Sequence, residues 1–410
     1  LVIHDGFDAY LWRAGMPTAS ALTSGASEKI QFRLLDPSQD EDGLSLTEPM
    51  YFSAFDKTTK RSGFFLIEPK AEGRMLVFDA YALRGLTKAK DADRMFYTMQ
   101  SFEQSPMLLI TNGAFAQAKP VVKTNLQQKE FSWGKAELIE YKSPSGKDLQ
   151  GRLIYPANFI AGRKYPMVVY IYERLSDDFF DYIGPREWSP YNPQVLSQNG
   201  YFVLMPDIVY RSRQPGKSAL ECIEAAVRAV FSKGVVDTAK VGLVGHSWGA
   251  YQTTYVLGQS KLFAAGVAGA PLTELISMYN GVYWNSGQTN QVIFETSQGR
   301  MEVPFWEDLK AYMENSPLFN VKGYSSPLLV AFGDADGAVD WHQGLYFYNA
   351  MRRLGKDLVM LLYANENHSL AKRANQLDYA RRLRHFLDVH LKGVKPEPWV
   401  TEGIPLLKQK

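Results

Sequence analysis

The amino-acid sequence predicts an α/β protein in which a β-rich segment precedes a mostly parallel sheet of eight strands. Two observations support this prediction. The first 125 or so residues hold short β-type runs separated by turn clusters, and from about Lys135 apolar runs alternate with helical patterns. Short strands without long helices form antiparallel sheets, whereas alternating strands and helices form parallel ones. We therefore expect two domains, residues 1–130 and residues 131–410.

Composition and charge narrow the classes of protein that the chain can represent. It has 410 residues, of which 46% are hydrophobic and 21% charged, the balance of a globular protein with an ample core. Lys and Arg number 45 and Asp and Glu 43, so the net charge is +2 and nucleic acid is not an expected partner. No apolar run approaches the roughly 20 residues that span a bilayer. The single cysteine, Cys222, excludes a disulfide framework and a cysteine-rich metal site.

The β-rich segment is expected to form antiparallel sheet. Its short runs, bounded by turn residues, are typical of a sandwich or of the blades of a propeller. The acidic stretch Asp40-Glu41-Asp42 is expected to be a solvated loop. The predicted strands are Lys29–Leu35, Met50–Phe55, Gly63–Glu68, Arg74–Asp79, Arg94–Gln100 and Met107–Thr111.

The region after Lys135 predicts a sheet of the α/β-hydrolase type. Of its eight apolar runs, the first two are expected to pair as a hairpin and the last six to be covered on both faces by helices. Helical patterns lie at 217–233, 341–354 and 371–390. The predicted strands are Leu138–Tyr141, Arg152–Tyr155, Met167–Tyr172, Tyr201–Met205, Val241–Val244, Ala265–Ala268, Leu328–Phe332 and Val359–Tyr363.

A candidate catalytic serine lies on the fifth of these strands. The apolar run Val241–Val244 leads into Gly245-His246-Ser247-Trp248-Gly249, and a helical stretch from Ala250 to Gly258 follows. Gly-x-Ser-x-Gly between a strand and a helix is the pattern of the nucleophile elbow, in which a tight turn holds the serine hydroxyl above the sheet. We interpret Ser247 as the nucleophile, the alternative being a purely structural turn.

A catalytic serine needs a base, and in this fold the acid and then the histidine follow the serine along the chain. His368 follows the strand Val359–Tyr363 and is the one histidine with this placement. Three aspartates follow the strand before it: Asp334, Asp336 and Asp340. We favour Asp336 as the acid, with Asp334 as the main alternative, because Asp340 is placed to cap the next helix.

These motifs resemble the prolyl oligopeptidase family of serine peptidases, in particular its dipeptidyl-peptidase-like bacterial branch. The resemblance covers about 280 C-terminal residues and rests on 164–172, on the elbow 245–251 and on Asn315-Ser316-Pro317. Counted from Gly333, the family's Gly-x-x-Asp-x-x-Val motif selects Asp336. By the same resemblance, the β-rich segment would be the last blades of a β-propeller, and the chain would be the C-terminal piece of a longer protein with an incomplete set of blades.

The resemblance also implies further site residues. The oxyanion hole would consist of the backbone N–H of Trp248 and the hydroxyl of Tyr172, although Tyr172 would otherwise simply end a buried strand. Glu173-Arg174-Leu175 stands where many members carry Gly-Gly-Pro. Tyr279 and Tyr283 would wall a substrate pocket, the alternative being that these aromatic residues belong to the core. No paired glutamates for capture of an N-terminal amine are visible.

The sequence therefore predicts a serine peptidase that hydrolyses short peptides, with a preference for cleavage after proline or small residues, through an acyl-enzyme. The alternatives are an esterase or lipase of the same fold and a catalytically idle binding module. No cofactor or metal is expected, since the His-Glu-x-x-His pattern and the full phosphate-loop pattern Gly-x-x-x-x-Gly-Lys-Ser/Thr are missing. A homo-oligomer is left open. The resemblance favours a periplasmic or secreted protein, while the residues leave a cytoplasmic one open.

Overall fold

The computed structural model describes residues 1–38 and 45–403. The acidic stretch Asp40-Glu41-Asp42 lies outside the described residues. The chain divides into two compact units, which we call the N-terminal unit (Leu1–Phe131 with Asp177–Gly184) and the C-terminal unit (Ser132–Ser176 with Pro185–Lys410). The main division falls after Phe131, and residues 177–184 group with the N-terminal unit. The domain boundary near residue 130 stays a prediction.

The N-terminal unit consists of antiparallel sheets. Strands β1 to β3 form one three-stranded sheet, β4 to β7 a four-stranded meander, and β8 to β11 a second four-stranded meander. Their bounds are β1 Val2–His4, β2 Ala9–Leu11, β3 Ser20–Ala21, β4 Ile30–Leu35, β5 Met50–Asp56, β6 Ser62–Ile67, β7 Arg74–Asp79, β8 Ala82–Lys88, β9 Met95–Gln100, β10 Met107–Thr111 and β11 Lys119–Lys123.

The two meanders share one apolar core. Phe64 from β6 packs with Leu83 from β8 and Tyr97 from β9, and the Phe64 and Tyr97 rings meet edge to face with centroids 5.5 Å apart. Burying these side chains between two sheets supplies the hydrophobic stabilisation that a lone meander lacks.

Ion pairs explain why residues 177–184 belong to the N-terminal unit. The two carboxylate oxygens of Asp177 accept hydrogen bonds from Lys57 and Lys60, each at 2.9 Å, and the Lys60 side chain is only 3% exposed. Burial alone would raise the pKa of Asp177, but the two ammonium groups outweigh it and lower that pKa. Farther along the segment, Asp181 pairs with Arg84.

The C-terminal unit is built around one eight-stranded sheet with the order β12-β13-β15-β14-β16-β17-β20-β21. Strands β12 and β13 are antiparallel, as expected for a hairpin, and β14 to β21 pair in parallel within this sheet. A separate two-stranded hairpin joins β18 and β19. The bounds are β12 Ala136–Lys142, β13 Asp148–Ile154, β14 Tyr165–Ile171, β15 Phe202–Pro206, β16 Val236–His246, β17 Ala265–Gly269, β18 Val282–Tyr283, β19 Gln288–Thr289, β20 Leu328–Gly333 and β21 Leu358–Tyr363.

Helices cover both faces of this sheet, so its central strands are buried and nearly continuous in apolar residues. The mixed α/β architecture with a mostly parallel eight-stranded sheet confirms the predicted fold class. No helix in the described part of the chain combines the length and apolarity needed to cross a membrane. The α-helices are α1 Pro193–Gln198, α2 Pro215–Phe231, α3 Trp248–Gln259, α4 Leu275–Tyr279, α5 Gln291–Thr296, α6 Leu309–Glu314, α7 His342–Arg353, α8 Arg373–Lys392 and α9 Pro398–Thr401.

The topology brings three loops to one edge of the sheet. Strands β16, β17, β20 and β21 are neighbours and parallel, so their carboxyl ends point the same way. Ser247 follows β16, Asp336 follows β20 and His368 follows β21. Ligand and catalytic sites of open α/β sheets form at this edge.

Candidate active site

Ser247 sits on a strained turn between β16 and α3. Its backbone angles are φ 57° and ψ −121°, a conformation that side-chain-bearing residues rarely adopt. A Cβ at Gly245 would lie 2.2 Å from the carbonyl oxygen of Gly249, and one at Gly249 would lie 2.3 Å from the carbonyl oxygen of Ile171. Both glycines are therefore required for the close approach of strand and helix that holds the serine outward.

The structure brings Ser247, His368 and Asp336 together in one chain of hydrogen bonds. His368 Nε2 lies 2.8 Å from Ser247 Oγ, and His368 Nδ1 lies 2.9 Å from Asp336 Oδ2. The Asp336 side chain is 0% exposed, whereas that of His368 is 19% exposed. The arrangement can move a proton from the serine hydroxyl to the imidazole while the buried carboxylate holds the ring in one tautomer.

The three aspartates after β20 have different partners. Asp336 Oδ1 also accepts the backbone N–H groups of Ala338 and Val339, at 2.8 and 2.9 Å, which fixes the carboxylate toward the histidine. Asp334 instead accepts the backbone N–H of Asn365. Asp340 accepts the backbone N–H of His342 at the start of α7. Only Asp336 of the three contacts His368, so Asp334 is not placed to act as the acid.

A buried glutamate holds the loop that carries His368. Glu366 is 2% exposed, and its carboxylate accepts the backbone N–H groups of Ala371 and Lys372 and the side-chain amide of Asn375. Burial would raise the pKa of Glu366, but these donors outweigh it and lower that pKa. The carboxylate closes the loop around His368, and it was not singled out from the sequence.

Replacing Glu366 by Gln is expected to lower the free energy of unfolding at pH 7 by about 1–3 kcal/mol, because one buried N–H would face an amide NH2 in place of an acceptor. A lowered folded-state pKa contributes stability above the unfolded value of about 4.3 and loses it as pH falls. The difference between wild type and Glu366→Gln should therefore shrink in acid. Urea titrations at several pH values measure it, with Glu187→Gln on an exposed side chain as the control. Equal stability at pH 7 would refute this role for Glu366.

Tyr172 follows the end of β14 beside the elbow. Its ring lies 3.5 Å from the position of a Cβ on Gly249, and its carbonyl oxygen accepts the side-chain amide of Gln252 at 2.8 Å. Gln252 is fully buried, so this hydrogen bond anchors the backbone directly before Glu173-Arg174-Leu175. Trp248 is the first residue of α3, and N–H groups of a first helical turn have no acceptor within the helix. Trp248 thus directly follows Ser247 along the chain, and the Tyr172 ring lies beside the elbow glycine Gly249.

The two predicted pocket tyrosines lie on different elements. Tyr279 ends α4 and is 1% exposed; its hydroxyl donates to Glu295 at 2.5 Å, and its ring packs edge to face on Tyr312. Burial and Glu295 raise the pKa of Tyr279 to about 12. It offers a substrate almost no surface, so its assignment to the pocket wall is corrected to a core role. Tyr283 lies on β18 and is half-buried, which leaves its role a prediction.

His246 places a second imidazole beside His368, with ring centroids 4.8 Å apart. Within the described part of the chain, neither ring nitrogen of His246 has a hydrogen-bond partner. Burial, together with His368, lowers the pKa of His246 to about 4, so this ring is neutral at physiological pH. A cavity of about 280 Å³ opens next to both histidines, with Trp188, Tyr191 and Tyr379 among its walls; Tyr279 and Tyr283 do not line it.

Several known proteins are similar to this chain. The Prolyl oligopeptidase family matches residues 187–394, just over half of the chain. Dipeptidyl-peptidase 5 of Porphyromonas endodontalis is 27% identical over 270 residues, a match that covers 60% of this chain and 36% of that protein. The acylamino-acid-releasing enzyme of Rattus norvegicus is 23% identical over 257 residues, covering 60% of this chain and 34% of that enzyme.

Solved structures extend the likeness in fold to most of the chain. Dipeptidyl peptidase 4 of Porphyromonas gingivalis aligns with a TM-score of 0.73 at 19% identity and covers 94% of this chain and 53% of that one. An acylaminoacyl peptidase of Pyrococcus horikoshii aligns with a TM-score of 0.71 at 18% identity, covering 98% and 61%. The chain spans less than two thirds of the length of each of these relatives.

The eight-stranded sheet and its serine elbow define an α/β-hydrolase. With the family match across more than half of its length, the chain belongs to the prolyl oligopeptidase family of serine peptidases, as the sequence motifs predicted.

Proposed function

We propose that this chain hydrolyses short peptides as a serine peptidase through an acyl-enzyme. The observation that carries the proposal is the unbroken chain from Ser247 Oγ to His368 Nε2 at 2.8 Å and from His368 Nδ1 to Asp336 at 2.9 Å. Ser247 attacks the scissile carbonyl, His368 takes the hydroxyl proton and later gives it to the leaving amine, and water then releases the acyl group. Asp336 holds the imidazole in position throughout.

The proposed oxyanion hole combines the Trp248 N–H with the Tyr172 hydroxyl. A negative charge develops on the carbonyl oxygen during attack, and donors already fixed in place stabilise it more than they stabilise the bound substrate. The anchored backbone of Tyr172 and its ring position beside Gly249 support this role. Tyr283 remains our candidate for a pocket residue, with proline or a small residue as the preferred acyl side chain.

Labelling and a substrate panel test this function. A fluorophosphonate probe should label wild-type protein but not Ser247→Ala, since the probe traps activated serines. Glycyl-prolyl para-nitroanilide, N-acetyl-alanyl para-nitroanilide and para-nitrophenyl butyrate then separate cleavage of free-amine peptides, blocked peptides and esters. Hydrolysis of the ester alone would favour the esterase reading. Failure of the probe to label Ser247 would make the chain a non-catalytic binding module.

Removal of the Tyr172 hydroxyl tests the oxyanion hole. Tyr172→Phe is expected to lower kcat by about 10²-fold with little change in KM, because the hydrogen bond forms fully only in the transition state. Steady-state kinetics on the best substrate of the panel measures both constants. Tyr346→Phe, on a tyrosine that is 48% exposed, is the matched control. A rise in KM at constant kcat would make Tyr172 a substrate-binding residue instead.

We also propose that residues 1–130 are blades of a partial β-propeller. Two consecutive four-stranded antiparallel meanders packed on a shared apolar core support this assignment, because such meanders are the repeating element of propellers. The three-stranded sheet β1 to β3 would be a further, incomplete blade. Limited proteolysis tests the assignment: cleavage should fall between meanders before it falls within them.

A further inference from the structure

The hairpin of β18 and β19 reaches the loops that carry the triad acid and base. The backbone N–H of Asn285, in the hairpin turn, donates to the carbonyl oxygen of Gly337 at 3.0 Å. The side-chain oxygen of Asn285 accepts the side-chain amide of Asn367 at 2.9 Å. Gly337 directly follows Asp336, and Asn367 directly precedes His368. One hairpin residue therefore holds a neighbour of the acid and a neighbour of the base.

Asn367 links the same two loops directly. Its side-chain oxygen accepts the backbone N–H of Gly337 at 2.9 Å and the backbone N–H of His368 at 2.6 Å. Because both donors are backbone N–H groups, the oxygen of this amide must face them and its NH2 must face Asn285. The network has a single consistent direction, and removal of either asparagine breaks it.

The contact depends on a close fit between the hairpin and the acid loop. A Cβ on Gly337 would lie 2.4 Å from the side-chain oxygen of Asn285 and 3.2 Å from its backbone nitrogen. Any larger residue at position 337 would therefore push the hairpin away. The hairpin also carries Tyr283, the candidate pocket residue, two positions before Asn285.

We propose that Asn285 and Asn367 are positioning residues that tie the hairpin to the Asp336 and His368 loops, so that Tyr283 on the hairpin and the triad are aligned as one assembly. The proposal rests on the proposed peptidase function. Neither residue touches the reacting atoms: both act through the backbone on either side of the hydrogen-bonded pair of Asp336 and His368. Small displacements of such a pair slow reaction more than they weaken binding.

Asn285→Ala tests this link, because it removes the acceptor and leaves the backbone contact in place. We expect kcat on the best para-nitroanilide to fall about tenfold, the scale of one lost hydrogen bond, with KM within about twofold of wild type. Asn285→Asp keeps an acceptor oxygen for Asn367 and should restore most of kcat. Asn280→Ala is the matched control, since the exposed Asn280 side chain donates to the carbonyl oxygen of Ile276 in its own helix.

A double-mutant cycle completes the test. In an Asn367→Ala background the amide donor is gone, so adding Asn285→Ala should lower kcat little further. Wild-type kcat in Asn285→Ala, or additive losses in the double variant, would overturn the proposed link. The melting temperature of each variant shows whether the fold is kept. If wild type is active, Ser247→Ala is inactive and the asparagine variants keep full activity, the peptidase function stands and the positioning role is refuted. If fluorophosphonate does not label wild type, the proposed function itself is refuted.

Discussion

Replacing Ser247 by alanine is expected to lower kcat by about 10⁴- to 10⁶-fold, the largest effect of any single change in the chain. The hydroxyl is the atom that bonds to the substrate carbon, and no other group in the proposed mechanism can replace it. Steady-state kinetics and fluorophosphonate labelling measure the loss. KM should change little, because the groups that bind the substrate remain.

The fold should tolerate this change. Ser247 Oγ forms a hydrogen bond with His368 Nε2. The elbow itself is maintained by backbone hydrogen bonds, such as the one that the Ser247 N–H donates to the carbonyl oxygen of Gly269 at 2.8 Å. The melting temperature of Ser247→Ala should therefore stay close to that of wild type. Ser232→Ala changes an exposed serine at the end of α2, away from the cavity beside His368, and serves as the control. Retention of more than a few per cent of wild-type kcat in Ser247→Ala would rule out the acyl-enzyme mechanism.

Much of the C-terminal unit could be predicted because parallel strands leave a strong sequence signal. Strands buried on both faces read as continuous apolar runs, and all eight predicted runs fall in the main sheet. Strand β8 was missed because Gly85, at φ 67°, interrupts its pattern and the register with β9 shifts there. Strand β11 was missed because all five of its residues are exposed, so it has no apolar face to recognise.

The site residues differed in how readily the sequence alone identifies them. Ser247 and His368 follow strands in a fixed chain order, so sequence position alone singles them out. Tyr279 and Tyr283 are four residues apart, which places two residues on one face only if the helix continues. Helix α4 ends at Tyr279 and Tyr283 lies on the hairpin, so the two tyrosines do not share a helix face. Asn285 and Asn367 belong to no recognised pattern, and only the folded loops show their contact.

Asp336→Asn is expected to lower kcat by about 10⁴-fold while leaving the fold nearly unchanged. The two oxygens of Asp336 differ in their partners: Oδ1 accepts the N–H groups of Ala338 and Val339 and lies 3.1 Å from His368 Nδ1, whereas Oδ2 is the nearer oxygen to Nδ1, at 2.9 Å. An asparagine should keep its oxygen on the two N–H groups, which turns its NH2 toward the histidine. Nδ1 would then have to accept, so Nε2 would carry the proton and could not take one from Ser247.

Asp334→Asn is the matched control, because Asp334 accepts the exposed backbone N–H of Asn365 at 2.6 Å and an asparagine oxygen can replace that acceptor. We expect less than a threefold change in its kcat, in keeping with a surface hydrogen bond that is preserved. Kinetics on the two variants side by side decides between the carboxylates. An inactive Asp334→Asn together with an active Asp336→Asn would reverse the assignment, since only a side chain that faces His368 Nδ1 can change the tautomer of that ring.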